Sequence, residues 1–285
     1  MKMPSLVSII ILNWNGRELT RKCLKSIKKN TDYQNYEIIV VDQGSKDGSV
    51  EMIEKYFPNV MIIKNRKNVG FAAGNNQGFA KAKGKYFFML SNDVMVTKGW
   101  LTNVVNVAEA DKYIASIGSL EVTPDKYSHG NFSASDKTED VETTLGAAML
   151  IRRDVVENIG GLDAEHFSPI YGEENDWCYR ARNAGYRIVR ANDSVIIHHG
   201  LATVKKEFDE SYYFVLRETN RIKAMLFNLP ISKLFRFIPG LGLIFITSLL
   251  SGRLHFVLKS YWYILSNLKE IMKIRKKRMR NPKIN

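Results

Sequence analysis

Hydrophobic positions along this chain come first in short unbroken runs and later at helical spacing. Leu6 to Leu12 (LVSIIIL) and Glu37 to Asp42 (EIIVVD) are nearly continuous apolar segments, as expected of strands covered on both faces of a parallel sheet. Leu19, Cys23, Leu24 and Ile27 recur between them at the spacing of a helix. The turn GSKDGS then leads into a second helix through Val50, Ile53 and Phe57, and Val60 to Ile63 and Tyr86 to Leu90 read as strands three and four. This β-α-β-α-β order predicts right-handed crossovers and an α/β sheet with helices on both sides. In such sheets ligands sit at the carboxyl ends of the strands.

Polar residues gather at those ends. Asn13-Trp14-Asn15 closes strand one, Asp42-Gln43-Gly44-Ser45 closes strand two, the Gly- and Asn-rich stretch Asn65 to Gly78 follows strand three, and Ser91-Asn92-Asp93 follows strand four. Carboxylates and amides suit a base and ribose, glycines allow close approach, and Lys and Arg suit phosphate. No G-x-G-x-x-G follows strand one and no G-x-x-x-x-G-K-[ST] occurs, which argues against a dinucleotide-dependent oxidoreductase and a P-loop enzyme.

Tyr113 to Leu120 and Thr144 to Ile151 read as further strands, the latter with small residues at Gly146 to Ala148. The polar, irregular stretch Glu121 to Asp140 between them reads as part of an acceptor-side lid or as a plain surface insertion. Asp154 to Ile159 is a short helix closed by Gly160-Gly161-Leu162-Asp163. Ile170 to Gly185 then sets Glu173, Glu174 and Asp176 on the first turn of a helix whose apolar face is Trp177, Cys178 and Ala181. Acids are favoured at a helix start, but three carboxylates in four residues repel one another and raise the pKa, as a general base requires. Tyr186 to Arg190 and Ser194 to His198 are two strand-like segments leading to His198-His199-Gly200.

From Lys205 the composition changes. Phe208 to Phe227 is an amphipathic helix, Pro230 breaks it, and Phe237 to Leu250 is apolar for only fourteen residues and contains Pro239, Gly240 and Gly242. That length falls short of the roughly twenty residues needed to span a bilayer, so the segment reads as interfacial or re-entrant. Leu254 to Leu268 is an aromatic-rich helix with Tyr261, Trp262 and Tyr263. The net charge is +13 over 285 residues, and Lys269 to Asn285 holds eight Lys/Arg against one Glu. Apolar surface plus a polybasic tail predicts peripheral attachment to an anionic membrane surface rather than nucleic-acid binding. A helical pair packed on its own catalytic domain or on a second subunit is the plainer alternative. Met1 to Ile11 lacks the pattern of a signal peptide, and Cys23 and Cys178, both on helix faces, predict no disulfide and a cytoplasmic setting.

Taken in order, VSIIILNWNG, VVDQGSKDGS, NVGFAAGNNQG, the SND after FFML, GGLDAEHF and YGEENDWCYRARNAG resemble the family 2 inverting glycosyltransferases of the GT-A fold, and within them the rhamnosyltransferase-like branch. The likeness runs from Leu6 to Thr203. It implies a GT-A catalytic domain over 1–204, with 205–285 as an amphipathic helical, membrane-associating region on the cytoplasmic face. It implies transfer of a sugar, rhamnose or another hexose, from a nucleoside-diphosphate sugar to a lipid-linked or cell-surface glycan. On that likeness Asp42, Asn13 and Asn15 contact the nucleoside, Asn68, Gly70 and Asn75 line the donor pocket, and Gly146 lets the donor sugar approach. Asn92 and Asp93 stand in the metal motif Asp-x-Asp, whose first acid is here Ser91. A hard cation prefers carboxylate oxygens, so Mg²⁺ or Mn²⁺ would rest on Asp93, with His198, or His199, beside the diphosphate. Glu174, or its neighbour Glu173, takes the place of the base, and Asp176 bonds the acceptor or braces the loop. A sugar nucleotidyltransferase and a non-catalytic membrane- or nucleic-acid-binding protein are the competing readings; oligomeric state stays open.

Overall fold

A computed structural model of the protein describes residues 3–200 and 209–280. Among them, nine strands form one mixed sheet. Its spine is parallel: β1 (Val7–Asn13) lies between β2 (Tyr36–Asp42) and β4 (Tyr86–Ser91), and β3 (Met61–Lys64) extends β2. β8 (Ala148–Arg152) joins β4 antiparallel, then come β6 (Ile114–Val122), β9 (Arg187–His198) and β5 (Val94–Val96), with β7 (Thr138–Asp140) also on β9. Because β1, β2 and β4 are parallel and in register, Asn13, Asp42 and Ser91 arrive at one edge. The antiparallel β8 brings its amino-terminal approach to the same edge, where Ser91 N–H donates to Ala147 C=O at 2.9 Å.

Helices cover both faces. α1 (Arg17–Asn30), α2 (Ser49–Tyr56) and α4 (Trp100–Ala110) bury Cys23, Leu24, Ile53 and Trp100 on one side. α3 (Phe71–Lys81), α6 (Arg153–Ile159) and α7 (Glu173–Asn183) bury Phe79, Val155, Trp177 and Cys178 on the other. A short helix, α5 (Pro124–Ser128), and β7 stand where an irregular lid is expected.

Three expectations change. The stretch Asn65 to Gly78 is not all loop, since α3 begins at Phe71. Its glycines serve close packing: a Cβ on Gly78 would lie 2.5 Å from Ile10 Cγ2, so only glycine lets the helix meet β1 at this distance. The two strand-like segments after Gly185 are one strand, β9. The polar Asn192-Asp193-Ser194, where the second segment begins, is a bulge, because Ser119 pairs with Ala191 and the next residue, Leu120, with Val195. The apolar run near the carboxyl end is longer than fourteen residues. α9 (Ile231–Leu250) is a twenty-residue helical run, long and apolar enough to cross a membrane by length and composition, with almost none of it buried. Pro239 is tolerated because it falls in the first turn after the 3₁₀ stretch Phe235–Phe237, where its missing N–H costs little.

The remaining helices are α8 (Glu210–Asn228), α10 (Leu254–Ser266) and α11 (Leu268–Arg280). They share a third core in which Phe167 and Tyr179 of the α/β layer pack with Met225, Phe227, Ile264 and Ile271. The helical region therefore docks on the sheet domain as well as exposing an apolar side. The 204/205 boundary, Thr203, the amino-terminal start of the amphipathic helix at Phe208, and Lys283 lie outside the described residues.

Candidate active site

At the shared strand edge opens a cavity of about 340 Å³, lined by Asn13, Trp14, Asn68, Gly70, Phe71, Asn75, Asn92, Asp93, Gly146, Tyr171, Glu173, Glu174 and His198 among others. That size is within the range of small-molecule sites. Most residues that the sequence assigns to a donor site therefore meet in one place.

The nucleoside edge is built from Asp42. Its carboxylate is only 2% exposed. It accepts from Asn13 Nδ2 at 2.8 Å and from the backbone N–H groups of Gly44 and Ser45 at 3.1 and 2.9 Å. Asn13 in turn gives Nδ2 to Ser45 Oγ and accepts at Oδ1 from Thr20 and Asn92. Asn15 holds φ +47°, donates its N–H to Ser45 Oγ and accepts from Lys46 N–H. Neither Asp42 nor Asn15 lines the cavity. In this structure both organise the loops around it. The sequence signal for that role was the cluster of turn-forming Asn, Asp, Gly and Ser itself.

At the opposite wall, Asp93 and His198 meet through the pairing of β5 with β9, His198 Nε2 lying 3.1 Å from Asp93 Oδ1. Nδ1 of the same ring bonds Glu121 Oε1 at 2.6 Å. Burial opposes the imidazolium, but the hydrogen bonds and charges of the two carboxylates outweigh it and raise the His198 pKa to about 10. Glu121, which also lines the cavity, was not among the residues singled out from sequence; it sits in a polar stretch without local pattern, and only the β6–β9 pairing brings it to His198. Among the described residues no group of three or more His, Cys, Asp or Glu side chains is arranged to hold a metal ion.

The third wall is the start of α7. Gly172, at φ +88°, is its N-cap, preceded by Tyr171 at φ +76°. Glu173 is 1% exposed, and its Oε2 has no hydrogen-bond partner among the described residues. Burial first, then the charge of Glu174, lifts its pKa well above the ordinary carboxylate range. Burial also raises that of the partly exposed Glu174, against opposing main-chain hydrogen bonds. Gly146 packs beside it, a Cβ there lying 3.9 Å from Glu174 Cβ. Asp176 does not line the cavity: it is fully enclosed and bonded to Arg180, Asn228 and Arg278. Of its two expected roles, acceptor contact is therefore corrected and bracing is what the geometry has, because both carboxylate oxygens are enclosed and already taken by Arg180, Asn228 and Arg278.

This sheet order, with donor-side loops at the parallel edge and acids on a helix beyond β8, is the GT-A fold. Solved structures share it. The crystal structure of GalNAc-T7 with UDP, GalNAc and Mn²⁺ superposes with a TM-score of 0.63 at 16% identity, covering 80% of this chain and 48% of that one. The mannosyltransferase PcManGT from Pyrobaculum calidifontis in complex with GDP-Man and Mn²⁺ gives 0.62 at 17%, covering 91% and 75%.

The profile of glycosyl transferase family 2 matches residues 8–160, more than half the chain, and the protein belongs to that family. Among its curated relatives, glycosyltransferase AglE of Haloferax volcanii is 27% identical over 206 residues, 67% of this chain and 66% of that protein. The cholesterol galactosyltransferase of Borreliella burgdorferi is 36% identical over 107 residues, 37% of this chain and 30% of that protein. The chain thus spans less than two thirds of the lengths of these relatives. α7 and His198 lie beyond the matched segment.

Proposed function

We propose that the protein is an inverting glycosyltransferase. It would move a sugar, rhamnose or another hexose, from a nucleoside diphosphate to a hydroxyl of a lipid-linked or cell-surface glycan. The observation that carries this reading is that two acids of raised pKa, the buried Glu173 and the partly exposed Glu174, line one cavity with Asp93 and His198. Glu174 takes the acceptor proton as that oxygen attacks the anomeric carbon from the face opposite the diphosphate. One displacement inverts the centre, so no covalent enzyme intermediate is needed. Glu173, enclosed and without a partner for Oε2 among the described residues, is the one whose ionised form burial opposes more, which favours Glu174 for the charged role. Asn68, Gly70 and Asn75 line the donor side, and Gly146 keeps the wall beside Glu174 low enough for a sugar ring.

Asp93 and His198, which both line the cavity, would be two ligands of a divalent cation, the ion taking the place of the proton that now lies between His198 Nε2 and Asp93 Oδ1 at 3.1 Å. With an imidazole in the set, Mn²⁺ is a better match than the harder, oxygen-seeking Mg²⁺, and similar structures hold Mn²⁺ with nucleotide. Such an ion would neutralise charge on the leaving diphosphate. Calorimetric titration with UDP, GDP and dTDP, each with and without Mn²⁺, tests donor and metal together. One nucleotide should bind at least tenfold tighter with metal, and Asp93→Ala should abolish that difference. Absence of binding by any nucleotide would reject the reading.

The helical region would hold the enzyme at an anionic membrane. Leu250 is 82% and Trp262 70% exposed, on two neighbouring helices, while Lys269, Lys273, Lys276 and Lys277 of α11 face outwards. Apolar residues plus a basic helix supply the two signals that stable attachment takes. Pelleting with phosphatidylglycerol vesicles should fall several-fold in the double variant Leu250→Glu, Trp262→Glu; unchanged pelleting would assign that face to another partner.

A further inference from the structure

Not all of the positive charge at the carboxyl end is directed outwards. On α11, Ile271, Arg275 and Arg278 stand at i, i+4 and i+7, one helical face, and all three are buried. Arg275 donates to Leu226 C=O at 2.6 Å. Arg278 reaches further. Its two terminal nitrogens donate to Asp176 Oδ1 and Asp163 Oδ2, one of them also lies 3.2 Å from Asn228 Oδ1, and its guanidinium sits 4.9 Å from the Phe227 ring centre.

Asp176 receives more than this one partner. Asn228 Nδ2 donates to its Oδ1 at 2.7 Å and Arg180 Nε to its Oδ2 at 2.9 Å. Arg180 belongs to α7 itself and ties that helix back to the carbonyls of Ile159 and Gly161. Arg278 and Asn228 come from α11 and α8, so through Asp176 the first turn of α7 is fixed to two helices outside the α/β layer. Glu174 is two residues away on that turn. A displacement of about 1 Å at a reacting group can cost roughly a hundredfold in rate, so whatever sets the seat of this turn bears on turnover.

We infer that Arg278 is a positioning residue for the base: by holding Asp176 and Asp163 together it seats the first turn of α7, and α11 thereby completes the active site. This rests on the proposed transfer reaction. It also gives the buried basic residues of α11 a role separate from its outward lysines.

The test uses the full chain with Arg278→Met and Arg278→Lys. Deuterium uptake of the 173–179 segment is read by mass spectrometry, and turnover of UDP-glucose and GDP-mannose is expressed per nucleotide-binding-competent molecule. Uptake at α7 should rise in both variants while β1 and β4 stay unchanged. For Arg278→Met, kcat should fall about tenfold or more with nucleotide Kd and donor KM within about twofold, and Arg278→Lys should recover part of it, since an ammonium keeps the charge but not the two-pronged reach. Unchanged uptake at α7, or a kcat per competent molecule equal to the parent's, overturns the inference. If Arg278→Met does not fold, Arg278→Lys carries the test. If the parent turns over neither donor, the exchange measurement alone decides: unchanged uptake at α7 overturns the inference and raised uptake supports it.

Discussion

Glu174→Gln should lower glycosyl transfer roughly a thousandfold, inside the span a positioned general base contributes, and leave nucleotide affinity within about twofold. The amide keeps the side chain's size but takes no proton. The paired acid explains why Glu174 rather than Glu173 is the expected base. Glu173 is the more deeply enclosed, has an oxygen without a partner among the described residues, and is pushed up by burial and by Glu174's charge. Burial therefore opposes its ionisation more, and Glu174, partly exposed and lining the cavity, is the better placed to take a proton. If Glu174→Gln retained turnover and Glu173→Gln lost it, the assignment would be reversed.

The same shifts set a pH dependence with a definite sign. The base works ionised and its pKa is raised, so turnover should climb with pH through a limb lying above the ordinary carboxyl value of 4.5. Stability moves the opposite way. A group whose folded pKa exceeds its unfolded one stabilises the fold below the unfolded value and loses that contribution as pH rises through the folded one. Thermal unfolding across the limb should therefore show a falling Tm in the parent and a smaller fall in Glu174→Gln.

Gly172→Ala should cost about 3 kcal/mol of folding stability. Two effects add. At φ +88° any side chain is strained by about 1–2 kcal/mol. A Cβ would also lie 2.8 Å from Phe167 Cδ1 and 2.9 Å from the carbonyl of Asn220, one a fully buried ring and the other helix backbone, and such overpacking costs about 1–3 kcal/mol. Gly185→Ala is the control, because φ is +91° there but nothing lies within 4 Å of the added carbon. Urea titration should show a clearly larger loss for Gly172→Ala; equal losses would mean that contact with α8 adds nothing.

The parallel half of the sheet was legible because β1, β2 and β4 are buried on both faces and each carries its own apolar run. The donor-side residues were legible for a related reason: a parallel sheet forces the residue after each run to one edge, so Asn13, Asn92 and Asp93 could be grouped without knowing any distance. β5 and β7 were not legible, since each is three residues long and exists through pairing with β9, far off in sequence. β9 read as two segments, Tyr186 to Arg190 and Ser194 to His198, because the polar residues of a bulge interrupt its apolar run; here Ser194 Oγ bonds Trp100 C=O and Asn192 bonds Glu139. The inward use of Arg275 and Arg278 was hidden for another reason. In a run as basic as KIRKKRMR, charge alone does not tell a buried arginine from a solvated one. The signal that does is phase: they share a helical face with Ile271.

The two cysteines have a practical consequence. Cys23 is enclosed under α1 on one face of the sheet and Cys178 under α7 on the other, both reduced and with thiols pushed up by burial, that of Cys178 to about 11. In the native state neither presents a thiolate to a soluble reagent. Alkylation at each site is thus a clock for the opening of its own layer, and peptide mapping of a timed reaction would tell whether the base-bearing layer breathes sooner than the other.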